Sequence, residues 1–140
     1  MSEIFIIIDP IKHPGSEDVF LNILEYINEN SHLSFFVAIH NDDKNKIDER
    51  FSIFEKIYKP EEIAQLNSVT KCFFAGGVFE ICVRNRPLGY QWFVENTKVE
   101  IFTNPKWLIS TSGDYPNLST NVDWIETNNT NIYKYHRAYG

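Results

Sequence analysis

Five apolar residues in a row, Ile4–Ile8, stand near the start of the chain and show no alternation with polar ones. A strand with one wet face alternates; a strand buried on both faces does not. The run therefore predicts a strand inside a mainly parallel sheet. Leu33–Ile39 has the same character, and Cys72–Ala75 is a shorter run of the same kind. A third strand falls within Phe51–Tyr58 and a fifth at Lys98–Thr103. Ser16 reads as a helix N-cap with Glu17 and Asp18 in the first turn, and Val19, Phe20, Ile23, Leu24 and Ile27 make an apolar stripe at helical spacing. Pro60 suits the first position of a short helix carrying Ile63 and Leu66. Strands alternating with helices predict an α/β fold, a three-layer α/β/α arrangement around a mainly parallel sheet of five or six strands.

The 140 residues suit one domain, with 110–140 an irregular C-terminal extension in which Val122–Glu126 is a further strand candidate. A formal charge of −6 and no basic stripe argue against nucleic acid, which needs a basic face. No segment has the length of a membrane span, and MSEIFIIID lacks the basic start of a signal peptide. Cys72 and Cys82 bracket the fourth strand and its turn, so a disulfide is not expected and a reducing, cytoplasmic setting is. An aromatic content of 15%, with Trp92, Trp107, Trp124 and the tail IYKYHRAYG, predicts a homo-oligomer, by default a dimer.

The run KCFFAGGVFEICV, residues 71–83, carries the chemistry. A strand ends at Gly76-Gly77, and Cys82 falls near the start of the helical stretch that follows. Unpaired backbone amides and the helix dipole favour a thiolate there, and glycines let amides point at a ligand. A strand, a glycine turn and a helix also form an ordinary α/β unit, in which such a cysteine is only a small buried hydrophobe. Ligand sites in parallel sheets form at the carboxyl ends of strands, and Asp9, His40, Lys59 and the turn 76–82 all fall at such ends.

With Asp9 after the first strand, Lys59 after the third, and Gly76 followed six residues later by Cys82-Val83, the chain resembles the isochorismatase-like cysteine hydrolases, the family of nicotinamidases and N-carbamoyl amidases. The likeness covers roughly residues 3–103. It implies a Cys82–Asp9–Lys59 triad that cleaves a carbon–nitrogen bond in a small metabolite, with Lys56 a second candidate for the lysine. It also implies a cis peptide between Gly77 and Val78, and an oxyanion hole formed by the amides of Val78 and Cys82. His40 and Phe79 are candidates for substrate contact.

The alternative is an inactive protein that keeps the fold as a ligand-binding or assembly module. Phe79 where the family has Thr, the short segments flanking Lys59, and Pro87 in a helical stretch favour it. A flavodoxin-like regulatory domain also accounts for the order of elements but leaves Cys82 idle. No metal and no cofactor is expected. His13, His40 and Asp42 do not complete a zinc set, His32 and His136 read as surface residues, and no glycine-rich nucleotide motif is present.

Overall fold

A computed structural model of the chain describes residues 2–12, 16–39, 46–76 and 90–108. The apolar runs form the predicted strands: β1 (Ser2–Ile8), β2 (Ser34–Ala38), β3 (Glu55–Ile57), β4 (Val69–Gly76) and β5 (Glu100–Thr103). They make one five-stranded sheet in the order β3-β2-β1-β4-β5, and every pairing is parallel. This is an α/β fold. β1 is central, which is why its five apolar residues are all fully buried.

The pleat of β1 divides the core into two faces. Phe5 and Ile7 point to one, where α1 (Ser16–Glu29) lays down Val19, Phe20, Ile23 and Ile27 beside Phe73, Phe102 and Trp107. Ile4, Ile6 and Ile8 point to the other, with Phe74, Ile57, Ile63, Leu108 and Phe93 of α2 (Tyr90–Asn96). A strand with polar alternation could not have served both faces.

The third strand lies inside the expected span and occupies only Glu55–Ile57, because Glu49–Phe51 forms a 3-10 turn that buries Phe51 against α1. The short helix at Pro60 is instead a pair of 3-10 turns, Pro60–Glu62 and Leu66–Ser68. Glu62 turns back so that its Oε1 accepts the amides of Tyr58 and Lys59 at 2.9 and 2.8 Å, which ends β3 there. The strand expected at Val122–Glu126 lies outside the described residues.

Candidate functional site

The strand order sets one special place. β1 leads toward β2 on one side of the sheet and β4 leads toward β5 on the other. The junction of the carboxyl ends of β1 and β4 is the topological switch point, the position where ligands of doubly wound sheets bind. Ile8 is paired with Gly76 at that edge.

Both chain exits at this point have unusual backbones. Asp9 has φ +42° and Gly76 φ +84°. For an L residue the left-handed region costs about 1–2 kcal/mol, less for Asp than for most. Asp9 is held there from both sides. Its amide donates to the Ala38 carbonyl at 2.9 Å, and its carbonyl accepts from the Ile11 amide at 2.7 Å, closing a tight turn around Pro10. The residue is 4% exposed, a rare degree of burial for an aspartate. Strained and buried polar residues of this kind collect at functional sites.

Gly76 is needed for closeness as much as for φ. A Cβ at this position would lie 2.6 Å from the Ile8 carbonyl oxygen and 3.2 Å from the Ile8 nitrogen. The end of β4 is thus pressed against the residue that precedes Asp9.

Lys59 follows β3, the edge strand, two strands from β1. Ala38 pairs with both Ile8 and Ile57, so Asp9 lies one residue and Lys59 two residues past the same row. Both therefore reach the carboxyl edge, separated laterally by about 10 Å of backbone. Lys59 is exposed and Asp9 is buried. Lys56 is turned the other way: its Nζ donates to the Ser52 carbonyl at 3.0 Å, before β3 begins. Of the two lysines, only Lys59 stands at the edge with Asp9. His40, Gly77, Val78, Phe79 and Cys82 lie outside the described residues.

Cys72 sits in β4, fully buried, and burial pushes its thiol well above the usual range. A cysteine in that state is inert.

Asp48 and Arg50, ahead of β3, and Glu17, in the first turn of α1, form a defined cluster at the same edge. The Arg50 guanidinium binds Asp48 through Nε and Nη2, each at 2.9 Å, and Glu17 through Nη1 and Nη2 at 2.8 and 2.7 Å. Those hydrogen bonds hold both carboxyls below their ordinary range and raise the guanidinium further. A cleft of about 540 Å³ opens over the cluster, bordered also by Lys12 and Lys46. A second cleft of about 580 Å³ lies at the amino ends of β4 and β5, beside Trp92. Neither is lined by Asp9 or Lys59. Among the described residues, no group of three or more His, Cys, Asp and Glu could hold a metal ion, and no helix is long and apolar enough to cross a membrane.

In comparisons with protein-family models, curated proteins and solved structures, nothing matches the chain.

Proposed function

We propose that the protein is a cysteine hydrolase that cleaves an amide-type carbon–nitrogen bond in a small metabolite. The observation that carries this reading is the placement of Asp9: buried, in left-handed backbone, at the switch point, and beside the glycine that opens the turn toward Cys82. In the proposed cycle Asp9 takes the proton of Cys82, and Lys59 offsets the negative charge of carboxylate and thiolate. The Cys82 sulfur bonds to the carbonyl carbon, and the oxyanion is met by the amides of Val78 and Cys82. The carbon–nitrogen bond breaks as the leaving nitrogen takes the proton from Asp9. Water then gives a proton to Asp9, attacks the thioester and releases the acid, and the thiol is restored.

A second reading, a binding or assembly module without catalysis, is favoured by one observation. Lys59 is exposed just past an edge strand, whereas a triad lysine works best desolvated beside its partners. Self-association as a dimer and a cytoplasmic setting belong to the leading proposal. A monomeric mass by light scattering at micromolar concentration would refute the dimer.

Thiol labelling separates the readings. Cys82 is expected to react with iodoacetamide at neutral pH roughly a hundred-fold faster than the buried Cys72, and Asp9→Asn to slow it by ten-fold or so. Equal and slow labelling of both thiols would exclude the hydrolase.

A further inference from the structure

The turn that carries Asp9 is strapped down by a segment that is distant in sequence. The Asp48 amide donates to the Pro10 carbonyl at 2.9 Å, and Ile11 pairs with Ile47 in an isolated antiparallel bridge. Backbone atoms of residues 10 and 11 are thereby fixed to residues 47 and 48. Nothing in β1 or β2 does this, because the β1–β2 ladder ends at Asp9.

The strap is held in turn by Arg50. Four of the five N–H groups that a guanidinium offers donate hydrogen bonds to Asp48 and Glu17, with Nη2 serving both. Asp48 Oδ1 also accepts the Arg50 amide at 3.0 Å, so the Asp48 side chain, 6% exposed, is locked from two directions. Glu17 belongs to the first turn of α1. Beneath the guanidinium lies the ring of Phe20, 5.9 Å away, which packs edge-on against Phe51 at 5.3 Å. Paired forks fix direction as well as distance, which a lysine in the same place cannot do.

We propose that Arg50 is a positioning residue, a clasp between α1 and the 46–51 strap that fixes the turn at Asp9. Its catalytic consequence rests on the reading of Asp9 as a general base; the clasp itself does not. With the clasp closed, Pro10 and Ile11 are held at one distance from α1, and the φ +42° conformation of Asp9 is the one in which the strap's hydrogen bonds are made. With it open, the strap keeps its backbone bonds to residues 10 and 11 and the packing of Phe51, but Asp48 loses its tie to α1 and the Asp9 turn gains alternatives.

The test is native-state hydrogen exchange of the full chain by NMR, in Arg50→Lys and in Glu17→Gln. The second variant changes a side chain 55% exposed on α1 and so preserves the fold if the first does not. The expected result in both is exchange roughly ten-fold faster or more at the amides of Asp48 and Ile11, with Phe73 and Phe74 in β4 unchanged. The pH profile of Cys82 labelling is expected to move in the same direction as in Asp9→Asn. Unchanged exchange at Asp48 and Ile11 in both variants overturns the clasp, whatever Cys82 does. Faster exchange with an unmoved labelling profile overturns the positioning role where Asp9→Asn moves that profile. Where Asp9→Asn leaves it unmoved as well, the general-base reading fails and the clasp stands. Uniformly faster exchange in Arg50→Lys, Phe73 included, reports a loosened fold, and Glu17→Gln then decides alone.

Discussion

Gly76→Ala is expected to lower stability by about 3 kcal/mol or more, a large effect for a single methyl group. Two costs add. Alanine at φ +84° costs about 1–2 kcal/mol in backbone conformation alone. The new Cβ would also stand 2.6 Å from the carbonyl oxygen of Ile8, and that atom cannot step aside as a flexible side chain would. Ile8 is fully buried in the central strand and paired on both sides, with Ala38 and with Gly76 itself. Relief requires the ends of β1 and β4 to part, at the junction where Asp9 stands. Chemical denaturation would measure the loss as a lower midpoint with an unchanged slope. A loss below about 1 kcal/mol would show that the close approach of the two strands is not a requirement of the fold.

Phe5→Ala should be as damaging from inside the core, at about 3–5 kcal/mol. Phe5 lies within 5.0–6.2 Å, centroid to centroid, of Trp107, Tyr26, Phe35 and Phe73. It therefore joins β1 to α1, to both flanking strands and to the 3-10 turn after β5. Truncation would leave a cavity walled by four aromatic rings, which are too large and too mutually braced to collapse into it. Domains of this size are commonly stable by only about 5–15 kcal/mol, so the change would remove a large share of the total. Leu21→Ala serves as the control. Leu21 is half exposed on α1, and its loss should cost about 0.5 kcal/mol. A melting temperature for Phe5→Ala close to that of the control would contradict the cluster's central role.

The fold was legible where burial dictates composition. Ile4–Ile8 announces a central parallel strand because only residues buried on both faces can abandon alternation. The stripe on α1 was legible for the matching reason, since one helical face must meet the sheet. The start of β3 was not, because Phe51 is an apolar residue as suited to a strand as to the 3-10 turn that buries it.

Of the candidate site, the sequence by itself determined which residues follow the strands: Asp9 comes immediately past an apolar run and Lys59 just past the third strand, and such positions lie at the carboxyl edge of a parallel sheet. Chain order alone could not determine which of those ends are neighbours. The tertiary structure decided that β1 and β4 lie side by side, with Asp9 and Gly76 at their junction, and that Lys59 follows the outermost strand. It also turned Asp48, Arg50 and Glu17 from scattered charges into one doubly forked cluster. Glu17 and Arg50 are 33 residues apart, and no local pattern encodes a contact made only when a helix and a distant loop dock on the same strand. Hydrophobic burial is written residue by residue along the chain, whereas charge pairing depends on distance and direction, which exist only once the chain has folded.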